Sequence, residues 1–115
     1  MTYLCLAYGE EEKLARIDER ECLACDRELR ARGQCVASEA LEPVAAAVTV
    51  RVRDGRQSVT DGPFAQTKEQ LAGFYLIEAR DLNEAIRIAA KLPPAAVGCV
   101  EVRPVRPIRE HPRVP

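Results

Sequence analysis

At 115 residues the chain is sized for a single domain, and 47% apolar with 30% charged residues is the balance of a sequence that folds around a core, which excludes a disordered tract. Seventeen basic against eighteen acidic residues leave a net charge of -1, too little for a broad basic surface on a phosphate backbone, so nucleic acid is not expected as a direct partner. No apolar run nears the roughly 20 residues of a membrane span, and Glu10, Glu11 and Glu12 come before any signal-peptide pattern develops; a cytoplasmic protein without a membrane partner is expected.

The first predicted strand covers residues 3–8, with Leu4 and Leu6 on one side and Cys5 and Ala7 on the other, so both of its faces should be covered. Residues 10–32 read as one helix whose apolar stripe holds Leu14, Cys22, Cys25 and Leu29, with Gly33 placed to end it. Asp18 falls on that stripe and is expected at its edge, reaching water. A second strand spans 35–41, closed by Pro43. Val48, Val50 and Val52 then alternate with Thr49, Arg51 and Arg53, the period of a strand with one wet face. Asp54-Gly55 is a hairpin signal, since both central positions of a type I′ turn need positive φ, and residues 57–60 form the return strand. Asp61-Gly62-Pro63-Phe64 stops the ladder.

Residues 71–79 contain Phe74, Tyr75, Leu76 and Ile77, a nearly continuous apolar run that belongs in the centre of a sheet. Asp81 and Glu84 have the spacing of a capping box, and Leu82, Ala85, Ile86 and Ala89 are expected on the buried face of the helix that follows, with Pro93-Pro94 ending it. A last strand covers 98–105, and residues 106–115 alternate proline with arginine in an extended arm. Strand, helix, strand, hairpin insertion, strand, helix, strand is the order of a ferredoxin-like split βαβ unit, an α+β domain over 1–105 with both helices on one face of an antiparallel sheet. Leaving the other face wet would expose a large apolar patch, so a homodimer is expected.

Five cysteines form an odd number without framework spacing and are read as reduced thiols packed as small hydrophobes. Cys22 and Cys25 make a C-x-x-C pair, but a single pair and a single histidine, His111, do not assemble a zinc site, so neither metal nor cofactor is expected.

Asp61 is the strongest candidate for chemistry: a carboxylate at the hairpin mouth beside a Gly-Pro turn can act as a general base, or can simply cap its own turn. Glu39 and Glu78 lie on strands, where a carboxyl turned inward would have a raised pKa. Lys68, between Thr67 and Glu69, could neutralise an anionic ligand or remain a solvated surface charge. Arg103 and Glu101 share one side of the last strand, and a cross-strand ion pair to Glu78 would account for all of them without a ligand. The site assignment is therefore Asp61 and Glu39 as catalytic groups, with Lys68, Tyr75 and Arg103 as substrate-binding groups.

The run Asp61-Gly62-Pro63-Phe64-Ala65-Gln66-Thr67-Lys68-Glu69, with Gly73-Phe74-Tyr75-Leu76-Ile77-Glu78 and Val100-Glu101-Val102-Arg103-Pro104, resembles the DGPF branch of the YCII-related family. The likeness extends upstream through Val48-Thr49-Val50-Arg51-Val52-Arg53-Asp54-Gly55 and Glu39-Ala40-Leu41-Glu42-Pro43. It implies a ferredoxin-like fold that dimerises into an α/β barrel, with a small-molecule cleft beside the sheet. Some YCII-like members resemble dehydrochlorinases or lactone isomerases, and DGPF members are often linked or fused to extracytoplasmic-function sigma factors, which implies a functional link of that kind. The family's catalytic pair is a histidine on the first helix and an aspartate after the second strand; here Cys22 stands at the histidine's place, and His111 lies in the arm. Two readings follow. One is a small homodimeric ligand-binding or accessory domain near sigma-factor regulation. The other is a cofactor-independent lyase or isomerase acting on a small anionic substrate, with Asp61 as general base, Glu39 assisting, and Lys68 or Arg103 holding the anion.

Overall fold

The computed structural model describes residues 1–108. Its elements are β1 (Thr2–Gly9), α1 (Glu11–Leu14), α2 (Glu19–Ala31), β2 (Cys35–Ala40), a 3-10 turn (Val44–Ala46), β3 (Val48–Arg53), β4 (Arg56–Asp61), β5 (Gln70–Glu78), α3 (Leu82–Lys91), α4 (Pro94–Val97) and β6 (Cys99–Pro104). The fold is α+β. A four-stranded sheet has the order β2-β5-β1-β6, and β3 pairs with β4 in a separate two-stranded ribbon. All neighbours are antiparallel, so β1 and β2 run in the same direction with β5 between them. Neither sheet closes into a barrel within the chain. Among the described residues, no helix is long and apolar enough to cross a membrane.

The expected single helix over 10–32 is two helices. Asp18 accepts a hydrogen bond from the Arg20 backbone N–H at 2.8 Å and is the N-cap of α2. A short carboxylate competes well for orphan amides, so it starts a helix here and does not lie on the middle of a stripe. At α3 the capping box is present with a shift: the Asp81 side chain accepts from the Glu84 N–H at 2.9 Å, while Glu84 accepts from the N–H of Arg80 at 3.0 Å. Ala85, Ile88 and Ala89 are buried, whereas Leu82 and Ile86, expected inside, are about half exposed. Pro93-Pro94 ends α3 as expected, but Pro94 also begins α4, where a missing amide hydrogen costs nothing.

The core lies on one side of the sheet. Tyr3, Cys5 and Ala7 of β1 and Ile77 of β5 point toward it, meeting Leu29 of α2 and Ala85, Ile88, Ala89 and Leu92 from the second half of the chain. The opposite side carries Leu4 against Leu76 and Leu6 against Phe74, all only partly buried. The two-sided apolar strands therefore have one covered face, because the packed helices lie on the same layer. Asp54 and Gly55 both have positive φ, 52° and 75°, as a type I′ turn requires. Of the arm expected over 106–115, residues 109–115 lie outside the described residues.

Between α4 and β6 the backbone of Gly98 passes so close to β1 that an added Cβ would sit 2.1 Å from the Tyr8 carbonyl oxygen. Gly98→Ala should therefore lower stability by at least about 2 kcal/mol, since a backbone atom cannot yield as a side chain does. Thermal unfolding of this variant against Gly33→Ala, where nothing lies within 4 Å of the added carbon and the cost is that of a side chain held at positive φ, separates the clash from a purely conformational penalty.

Candidate functional site

A cleft of about 670 Å³ opens between the α1–α2 corner and the β2–β5 half of the sheet. Its walls are largely apolar, from Leu14, Ile17, Leu23, Leu41, Ala72 and Pro94. Its polar groups come from two elements. From α2 come Cys22, Asp26 and Arg30, spaced four residues apart and hence stacked along one helix face. From the sheet come Ser38 and Tyr75, directly opposite each other in the register of β2 and β5.

Ser38 reaches this face because of a register shift between Cys35 and Ala37. Strict alternation from the buried Cys35 would turn Ala37 and Glu39 toward the helices; the extra residue leaves Val36 52% exposed and puts Ser38 and Ala40 on the side of Tyr75 and Gly73. The Ser38 hydroxyl then donates to Asp26 Oδ1 at 2.6 Å, and Arg30 Nε donates to Asp26 Oδ2 at 2.8 Å. Arg30 Nη2 also reaches Ser38 Oγ at 3.3 Å, and the Cys35 thiol lies 3.7 Å from Asp26 Oδ1.

The electrostatics follow from this geometry. The Ser38 hydrogen bond, with the Arg30 guanidinium behind it, holds the Asp26 carboxyl below its usual range. Burial pushes the thiols of Cys22, Cys25 and Cys35 up, so they stay protonated and weakly nucleophilic. Burial likewise pushes the Tyr75 phenol to about 12. Among the described residues, that phenol has no hydrogen-bond partner, although it lines the cleft. Glu11, Glu19 and Glu39 stand on the lining as further carboxylates, Glu11 accepting from the Val44 N–H at 2.9 Å. No group of three or more metal-ligating side chains that could hold an ion occurs among the described residues.

Of the residues assigned to the site from sequence, the structure brings Tyr75 to this cleft; Glu39 borders it on β2 but pairs in register with Phe74 of the uncovered side, and the others lie elsewhere. Asp61 is exposed at the end of the ribbon, opposite Val48. Lys68 is 83% exposed at its side chain, 3.5 Å from Glu10, beside a second, shallower recess that includes Tyr8, Cys99 and Glu101. The loop around it is laced to itself, Thr67 Oγ1 donating to the Glu69 carbonyl at 2.6 Å. Arg103 lies on the uncovered side of the sheet in an ion pair with Glu101, while Glu78 bonds the Thr2 hydroxyl and lies 3.4 Å from the N-terminal amine. Asp26, Arg30 and Ser38 were missed. The four-residue spacing of Cys22, Asp26 and Arg30 was visible in the sequence, but nothing local announced the bulge that delivers Ser38.

Comparison with known proteins places these residues in context. The family described as YCII-related domain matches residues 1–109. The "Uncharacterized protein R00369" of Rhizobium meliloti (strain 1021) is 39% identical over 114 residues, covering 91% of this chain and 92% of that protein.

Because Asp26 has a lowered pKa in the folded chain, its contribution is present above the ordinary carboxylate pKa and is lost as pH falls through the lowered value. Asp26→Asn should therefore cost about 1 kcal/mol at neutral pH, and the difference from wild type should shrink toward zero on acidification below about pH 4. Urea unfolding at a series of pH values checks both the size and the sign.

Proposed function

Because the chain belongs to the YCII-related domain family, we propose that it works as a homodimeric ligand-binding or accessory domain, with the cleft between α2 and the sheet as the ligand site. The observation that carries this reading is the partnerless Tyr75 hydroxyl on a polar floor whose other members already satisfy one another, inside an apolar-walled cleft of small-molecule size. A donor of that kind orients a ligand's acceptor while the walls bind its apolar body. The titratable groups around it support binding over turnover. Asp26 is held low and the thiols and Tyr75 are held high, whereas proton transfer works best from a group poised near the working pH.

The charge of the lining disfavours an anion, which leaves neutral small molecules as the first class to screen. Among the described residues Arg30 is the one cation on the lining and is already paired with Asp26, while Glu11 and Glu19 add negative charge; Lys68 and Arg103, the cations expected to hold an anion, lie outside this lining. The strand order β2-β5-β1-β6 supports the ferredoxin-like reading, and two such sheets meeting by their uncovered faces would form the dimeric α/β barrel that the resemblance implies. An accessory role linked to an extracytoplasmic-function sigma factor fits the same reading. In the alternative reading, a lyase or isomerase, Asp61 would have to work as a base from an exposed ribbon end.

Screening small neutral metabolites by thermal shift should find a compound that raises the melting temperature through binding to the folded state. Its affinity should fall about tenfold in Tyr75→Phe, the size of one lost hydrogen bond, and vanish in Ala15→Trp, which fills the cleft. Asp61→Asn should bind as wild type. Binding that survives Ala15→Trp, or turnover that disappears with Asp61→Asn, would sink the proposal.

A further inference from the structure

The β3–β4 ribbon is unequally engaged on its two faces. On one, Thr49 Oγ1 donates to the Gly62 carbonyl at 2.9 Å, and the Arg51 guanidinium lies 5.3 Å from the centroid of the Phe64 ring. The chain's own 62–64 segment thus holds the polar face. The other face carries Val48, Val50 and Val52 from β3, with Val59 directly opposite Val50, and these are 59%, 56%, 59% and 55% exposed. A two-stranded ribbon is marginal in water without something against its apolar side. Nothing among the described residues supplies that cover.

We propose that the valine face of the ribbon is a clasp that closes on a second copy of this chain. The inference rests on the homodimer reading and adds to it the element that completes the interface. The argument is one of area. The uncovered side of the main sheet has four strands about 4.8 Å apart and about 20 Å long, hence roughly 400 Å². Half-exposed valines on the ribbon add a patch on the order of 300–400 Å². A stable interface needs about 800 Å² from each partner. Neither surface approaches that alone, and together they come to roughly 700–800 Å², within the range of stable interfaces. A second copy is the partner that presents both surfaces again: a two-fold axis uses each patch twice, so the valine ribbon and the sheet face, where Leu4, Leu6, Phe74 and Leu76 adjoin the Arg103–Glu101 pair, are both covered by one symmetric contact.

Sedimentation velocity over a micromolar concentration series tests this with three proteins: wild type, Val50→Asp with Val59→Asp, and Ser58→Glu on the opposite ribbon face. The wild type and Ser58→Glu should be dimers of like affinity, and the double aspartate variant should dissociate at least a hundredfold more readily with an unchanged far-UV spectrum. If that variant unfolds, the ribbon can be removed: Val48 and Asp61 are register partners, so an Asn-Gly turn can replace residues 49–60, and the shortened chain should be monomeric. A monomeric wild type would overturn both the homodimer reading and the clasp. A wild-type dimer matched in affinity by the valine variant or the shortened chain would overturn the clasp alone, leaving the sheet-face dimer standing and the valines to a different partner.

Discussion

The structure depends on a mismatch between strands and helices. The central strands β1 and β5 carry apolar side chains on both faces, yet the packed helices lie on one side of the sheet. On the covered side Tyr3, Cys5 and Ile77 are almost fully removed from water; on the other, Leu4, Leu6, Phe74 and Leu76 are shielded mainly by one another across the ladder. Burial of such side chains is the main term that offsets chain entropy, so a half-covered sheet leaves stabilising energy for association.

Where side-chain period and turn chemistry act locally, the elements were legible from the amino acids. Val48 through Arg53 alternates cleanly, and Asp54-Gly55 admits the positive φ of a type I′ turn, so the ribbon's strands and its turn are where the pattern puts them. The Phe74–Ile77 run reads as a central strand and is one. Elsewhere a competing local bond prevailed over periodicity. Asp18 captures an amide and divides a helix that composition alone would run straight through; in α3 the buried stripe is Ala85, Ile88 and Ala89, which leaves Leu82 and Ile86 facing outward. Strong helix formers report that a segment is helical, not where a carboxylate will begin it.

The cleft was half legible for a different reason. Tyr75 lies in a strongly patterned strand and could be placed; Ser38 depends on one extra residue in an edge strand, which no periodicity announces. The Asp26–Ser38–Arg30 network then joins a helix to a strand through side chains distant in the chain, so its members carry no common local motif. Asp61 had the opposite history. It sits within the most recognisable stretch of the chain, and its carboxylate stands in solvent.

The irregularity in β2 also bears on how such a cleft tolerates change. Val36 is a spare residue: without it Cys35, Ala37 and Ser38 would follow one another in plain alternation against Ile77, Leu76 and Tyr75, so the hydroxyl would stay on the cleft side and the ladder to β5 would only become more regular. The edge strand can therefore lose a codon at this point without turning a different side chain inward, whereas a codon lost between Ser38 and the end of the strand has no such slack to draw on.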